Sequence, residues 1–241
     1  MIKYVFFDLG STLIYSKDPW GPFFQTGNLM LAEVLQRAGI SLPGKPLHEE
    51  FGNFLEKFYE GYSSNDTTER TMFSVLRAIL AKKGNHVVPD QVLRNALEKL
   101  YSIVNRNWYP EEDALPTLIR LHETGHRLGL ISNTADDAHV QRLVDSFGFR
   151  SMLDYVITSS SFGIRKPDAR IFQAALDHFE AQPAEAAMVG DLPEADILGA
   201  NNLGMYSIWI TRRAGGPNPA ITPKATVGAL AEIPLLIKSL R

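Results

Sequence analysis

No cysteine occurs among the 241 residues. Disulfide scaffolds, thiolate zinc sites, iron–sulfur clusters and cysteine nucleophiles are therefore excluded. The absence also fits a reducing compartment. No apolar run approaches the ~20 residues of a membrane-spanning helix, so no membrane partner is expected. The apolar N-terminal stretch from Met1 to Phe7 is interrupted by Asp8 before a signal-peptide core can form, and a cytoplasmic location is the expectation. An excess of one charge is missing too: 24 Lys and Arg face 27 Asp and Glu, for a net charge of −3. The basic runs are only pairs, such as Lys82-Lys83 and Arg212-Arg213. Neutralising a phosphate backbone needs clustered basic residues, so no nucleic-acid partner is expected. What is present, 45% hydrophobic and 21% charged residues, sits near the globular average and excludes disorder and fibrous repeats. The length allows one large or two modest domains with a sizeable core.

The chain changes period along its length. Tyr4 to Phe7 is short, aromatic and β-branched, and it stops at Asp8-Leu9-Gly10-Ser11-Thr12; this predicts a buried strand followed by a turn. From about Pro19 to Trp108 apolar residues recur at helical spacing. The groups are Leu29, Leu31, Val34 and Leu35; Phe51, Phe54, Leu55 and Phe58; Met72, Val75, Leu76 and Leu80; and Val92, Leu93, Leu97 and Leu100. Asn65 to Thr68 and Pro89-Asp90 read as helix starts. After Tyr109-Pro110 the pattern alternates. Helices are predicted at 113–123, 137–146, 168–179, 194–203 and 230–240, and strands at 127–131, 155–158, 186–189 and 206–210. Such alternation means parallel strands covered by helices, and the N-terminal strand should join that later sheet. The block from 19 to 108 then reads as a helical insertion.

In an open parallel sheet, ligands bind beyond the carboxyl ends of the strands. Asp8, Ser132-Asn133, Lys166 and Gly190-Asp191 all fall at or just past predicted strand ends. They are distant in sequence but would converge in such a sheet. Any one alone is a weak signal, since a strand-end Asp or Ser is often just a helix cap or turn former.

These residues carry a resemblance to a known family. Phe6-Phe7-Asp8-Leu9-Gly10-Ser11-Thr12-Leu13 resembles the first motif of the haloacid dehalogenase-like hydrolases, usually D-x-D-x-T. Leu130-Ile131-Ser132-Asn133 resembles the second motif and Arg165-Lys166-Pro167-Asp168 the third. Val189-Gly190-Asp191 with Asp196 resembles the fourth, G-D-x-x-x-x-D. Order and spacing match across the whole chain. The resemblance implies an α/β fold: a Rossmann-like parallel-sheet core of residues 1–18 and 109–241, with an inserted α-helical cap at 19–108.

It also implies a magnesium-dependent phosphatase acting on a small phosphorylated substrate through an aspartyl-phosphate. Asp8 would be the nucleophile, dividing one displacement into two. The metal ligands would be Asp8, the carbonyl of Gly10 and Asp191, with Asp196 orienting Asp191 or a metal-bound water. Leu9, Gly10, Ser132, Asn133 and Lys166 would bind phosphate or substrate, and Lys166 would neutralise developing charge. Each has a plainer reading. Asp196 could face solvent on a helix, Lys166 could be a solvated surface lysine, Ser132 could cap the next helix, and Asn133 could merely form the turn. Glu194 reads as a first-turn acid favoured by the helix dipole.

Gly10 departs from the family pattern, because the usual second Asp protonates the leaving group and activates water. Such help is worth about 10² to 10⁴-fold. Water or another side chain could substitute; the substrate could carry a good leaving group; or the protein could bind phosphate compounds without turnover. Dehalogenation of 2-haloacids is a further alternative, although dehalogenases resemble D-x-Y here and do not need the acid at Asp191. Gly39 to Pro46 nearly spells a nucleotide-binding P-loop, but Pro46 takes the Ser/Thr place and a helix precedes it. His48, His86, His122, His126, His139 and His178 lack metal-ligand spacing; His122 and His126 suit a surface or turn role. Trp20, Phe23, Phe24 and Arg70 are candidate cap contacts, with helix core as the alternative. A monomer or a homodimer is expected.

Overall fold

Tyr4–Phe7 forms strand β1, and Val5, Phe6 and Phe7 are completely buried. A run of aromatic and β-branched residues suits a strand covered on both faces. The computed structural model describes residues 1–44, 46, 49–50 and 66–240. The remaining strands are β2 (Ile14–Ser16), β3 (Trp108–Pro110), β4 (Arg127–Ser132), β5 (Tyr155–Thr158), β6 (Ala186–Gly190), β7 (Tyr206–Ile210) and β8 (Ala225–Val227). Six of them make one sheet in the order β5-β4-β1-β6-β7-β8, and every pairing is parallel. β2 and β3 form a separate two-stranded sheet.

The first strand thus lies in the middle of the later ones, as the sequence predicts. From β1 the chain reaches β4 and moves outward to β5. It then returns to β6 on the other side of β1 and moves away through β7 and β8. Strand order reverses at β1, and the crevice at such a reversal is where α/β sheets bind ligands. Phe7 is in register with Leu130 on one side and with Val189 on the other.

Amphipathic helices cover the sheet. Ala114–Glu123 buries Ala114, Thr117, Leu118 and Leu121, a helical stripe. Asp137–Ser146 starts at Asp136, whose carboxylate accepts the His139 amide at 2.8 Å. Ala169–His178 starts at Asp168 and buries Ile171, Phe172, Ala175 and Leu176 against Phe6, Ile131, Ile157 and Met188 of the sheet. Each such large apolar side chain contributes about 1.5–3 kcal/mol through burial.

By contacts the chain divides into two compact units, Met1–Tyr15 with Tyr109–Arg241, and Ser16–Trp108. The described part of the second unit is helical: Trp20–Arg37, Met72–Lys82 and Asp90–Val104. Within it Gly27 permits a close helix crossing, since a Cβ there would stand 3.1 Å from the Leu100 carbonyl. Phe51, Phe54, Leu55, Phe58 and Asn65 lie outside the described residues. Among the described residues, no helix is long and apolar enough to cross a membrane.

Several expected boundaries are corrected. The helix expected to start between Asn65 and Thr68 begins at Met72, because Thr71 supplies the cap by accepting the Ser74 amide at 3.1 Å. Asp66 instead accepts the Thr68 amide in a local turn. The segment 194–203 is a π turn, Pro193–Ile197, followed by the α-helix Leu198–Leu203. The last helix divides into a 3₁₀ turn at Leu230–Glu232 and an α-helix at Ile233–Ser239, with Pro234 in its first turn. β2, β3 and β8 have no signature in the sequence, because three residues are too few to display an alternating pattern.

Candidate active site

The polar residues of interest emerge where buried strands end. Asp8 follows β1, and its amide donates to the Val189 carbonyl at 2.9 Å. It is 9% exposed, so the carboxylate stays largely out of water. The chain then turns tightly, with the Leu9 carbonyl accepting the Leu13 and Ile14 amides at 2.9 and 3.0 Å. Gly10 bridges to Ile14 within this turn. Thr12 is buried, and its hydroxyl donates to Asp191 Oδ1 at 3.4 Å. That contact gives Thr12 a place at the site which its position in the first motif could have suggested.

Lys166 enters from the loop before helix Ala169–His178 and is buried. Its ammonium donates to Asp8 Oδ1, Asp196 Oδ1 and the Ile131 carbonyl, each at 2.6 Å. Three donors therefore meet three acceptors. The surface-lysine reading is overturned. Burial alone would lower its pKa, but the Asp196 and Asp8 carboxylates overcome this and hold it above the ordinary value. Asn133 grips the backbone of the same residue: its Nδ2 donates to the Lys166 carbonyl at 3.1 Å and its Oδ1 accepts the Lys166 amide at 2.9 Å.

Asp191 follows β6, and Asp196 sits in the π turn behind it. Asp196 is 1% exposed, which overturns the solvent-facing reading. Its Oδ1 takes the Lys166 bond, and its Oδ2 accepts the Leu192 amide at 3.1 Å. Gly190 makes room for it, because a Cβ at Gly190 would collide with the Asp196 carboxylate. The Gly-Asp pair of the fourth motif thus has a steric reason.

Asp8, Asp191 and Asp196 each offer a carboxylate oxygen within 4.8 Å of the others. Three carboxylates against one ammonium leave a formal charge of −2. Burial raises the Asp8 pKa to about 6 against the opposing pull of Lys166, and Asp196 adds to the rise. Burial, then Asp8 and Asp196, raise Asp191 to about 8. Such a cluster is relieved by a proton or a cation, and its all-oxygen donor set fits a hard divalent ion.

Ser132 ends β4, buried, two residues past the level at which Leu130 pairs with Phe7. Asp136 caps the following helix, so Ser132 is released from that role. Hydrogen bonds and close carboxylates therefore join Asp8, Asn133, Lys166, Asp191 and Asp196, while Ser132, Leu9 and Gly10 lie at the same sheet end. Glu194 accepts a bond from Asn218 at 2.6 Å. Away from the site, His126 is buried rather than at the surface, with Nδ1 3.1 Å from the Leu121 carbonyl at a helix end. His139 is also buried, and burial, with Arg142 nearby, lowers its pKa to about 3. Trp20 packs its ring against those of Trp108 and Phe24, and Phe23 and Phe24 are half-buried; Arg70 pairs with Asp66 at 3.9 Å.

A family model described as a haloacid dehalogenase-like hydrolase matches residues 2–204. The chain belongs to the haloacid dehalogenase-like hydrolases. It is 37% identical over 125 residues to phosphoserine phosphatase of Thermus thermophilus, covering 52% of this chain and 49% of that protein. The chain thus spans about half the length of that relative. It is 29% identical over 214 residues to glyceraldehyde 3-phosphate phosphatase of Methanothermobacter thermautotrophicus, covering 87% of this chain and 86% of that one. The fold of this hydrolase is shared with a phosphatase of the same family from Thermococcus onnurineus, at TM-score 0.67, 23% identity and 98% coverage of both chains. It is also shared with a 2-haloacid dehalogenase from Pseudomonas syringae, at TM-score 0.72, 24% identity and full coverage of both chains. At these identities the two structures speak to fold alone.

Proposed function

We propose that this hydrolase is a magnesium-dependent phosphatase that cleaves small phosphorylated metabolites through an aspartyl-phosphate on Asp8. The observation that carries the reading is the buried cluster in which Asp8 and Asp196 share the Lys166 ammonium, each at 2.6 Å, beside Asp191. The relatives' names, phosphoserine phosphatase and glyceraldehyde 3-phosphate phosphatase, support a phosphate monoester as substrate.

In this reading an Asp8 carboxylate oxygen attacks phosphorus, and the bond from phosphorus to the leaving oxygen breaks. Water then hydrolyses the acyl phosphate, releasing inorganic phosphate and restoring Asp8. Lys166 holds the nucleophile and offsets charge on the phosphoryl group. Ser132 and the turn amides at Leu9 and Gly10 bind phosphate oxygens, and Asn133 keeps Lys166 in place. Asp8, the Gly10 carbonyl and Asp191 would hold magnesium, with Asp196 steadying Lys166 and the Asp191 turn. When bound, the ion offsets the repulsion between carboxylate and phosphate. With Gly at position 10, the leaving oxygen takes its proton from water, so esters with good leaving groups are the favoured substrates. The helical unit Ser16–Trp108 is assigned the role of cap, with substrate choice set there.

Gly10 also favours a second reading, a phosphate-binding protein with little turnover. A panel of phosphate esters, with and without magnesium, separates the two. The phosphatase reading expects magnesium-dependent release of phosphate from at least one small ester and its loss in Asp8→Asn. Inactivity on every ester would favour the binding protein. Full activity in Asp8→Asn would sink the nucleophile. Halide release from a 2-haloacid without added metal would instead favour dehalogenation.

A further inference from the structure

Backbone pairing between β6 and β7 ends with Gly190 opposite Trp209. Asp191 lies one residue further, where the ladder no longer holds the chain. There the Trp209 side chain continues the pairing: its indole Nε1 donates to the Asp191 carbonyl at 2.9 Å. The other polar atom of the same peptide, the Leu192 amide, donates to Asp196 Oδ2 at 3.1 Å. Both hydrogen-bonding groups of the Asp191–Leu192 peptide are therefore gripped from outside the backbone ladder. A peptide plane held on both edges has little freedom to rotate, and the Asp191 side chain departs from the carbon next to it.

We propose that Trp209 is a positioning residue: its indole N–H fixes the peptide after Asp191 and so aims the Asp191 carboxylate at a bound cation. The inference rests on the magnesium reading above. Partners that orient a metal ligand from behind change metal affinity by about 10 to 100-fold when removed. Phe at position 209 keeps an aromatic ring and deletes only the donor, leaving the Asp191 carbonyl without that bond. Sequence alone hides the role, because an aromatic residue in an apolar strand reads as packing.

The test is calorimetric titration of the full chain with magnesium chloride, in wild type and Trp209→Phe. The expected result is about tenfold weaker binding in the variant, with kcat at saturating magnesium essentially unchanged. A wild type that takes up no magnesium defeats the magnesium reading and this proposal with it. Wild type and variant binding equally tightly overturns the proposal alone, as does a fall in kcat at unaltered affinity. Should Trp209→Phe fail to fold, the wild-type indole N–H resonance decides. Assigned through Trp20→Phe and Trp108→Phe, the Trp209 signal should resist solvent exchange and shift on magnesium saturation. A freely exchanging, unshifted signal overturns the proposal.

Discussion

Replacing Lys166 by Met deletes the buried ammonium while keeping most of the stem. Asp8, Asp196 and the Ile131 carbonyl each lose a donor at 2.6 Å. Removing one partner of a buried ion pair costs about 3–5 kcal/mol, because an uncompensated charge stays behind. For a chain of this size that is a fall in melting temperature of about 6–20 °C. The size should depend on pH, and the sign follows from Asp8 and Asp191. Both already sit above the ordinary carboxylate range, at about 6 and about 8, and Lys166 is what pulls them down. Without it both rise further. A carboxyl raised in the fold binds more protons folded than unfolded, so its contribution falls as pH climbs from about 4 towards the raised value, at about 1.4 kcal/mol per pH unit for one proton. At pH 5 the variant keeps Asp8 and Asp191 neutral and the deficit shrinks; at pH 8 it is largest. Thermal unfolding of both proteins in chelator at pH 5 and pH 8 makes the comparison. A deficit equal at the two pH values, or larger at pH 5, would refute this account of the cluster.

On the magnesium reading the ion displaces the Asp191 proton, and below about pH 6 the Asp8 proton as well, so apparent affinity should rise about tenfold per pH unit from about pH 6 to about pH 8 and more steeply below. Calorimetry in buffers of different ionisation enthalpy would count the released protons. Gly190→Ala forces a methyl into the Asp196 carboxylate and should lower stability by about 1–3 kcal/mol, measured by urea unfolding, with weakened magnesium binding. Gly10→Asp should raise turnover of esters with poor leaving groups by about 10² to 10⁴-fold and leave aryl phosphates nearly unaffected. Equal gains on both classes would argue against missing acid–base chemistry.

Much of this arrangement is legible in the sequence because buried parallel strands are short apolar runs that end abruptly. Val5-Phe6-Phe7 before Asp8 and Ala187-Met188-Val189 before Gly190-Asp191 mark where side chains leave the sheet. The insertion shows as a change from strand runs to helical spacing. Other features have no local signature. Asp196 meets Lys166 across 30 residues of chain through a π turn, and a single five-residue turn is too short to show its wider repeat in the sequence. In the sequence Asn133 reads as a substrate contact or a turn former; its clamp on Lys166 depends on two loops meeting. Thr71 and Asp66 are both good cap residues, and only the path of the chain decides between them.

The central claim, covalent catalysis by Asp8, is tested most directly by trapping the intermediate. Enzyme, magnesium and a hydrolysed phosphate ester are mixed, quenched in acid within one turnover, and reduced with borohydride. Peptide mass spectrometry then locates the modified residue. The account predicts an acyl phosphate at Asp8, reduced to homoserine and missing from Asp8→Asn. Turnover with Asp8 unmodified at every quench time, or label on another residue, would contradict it.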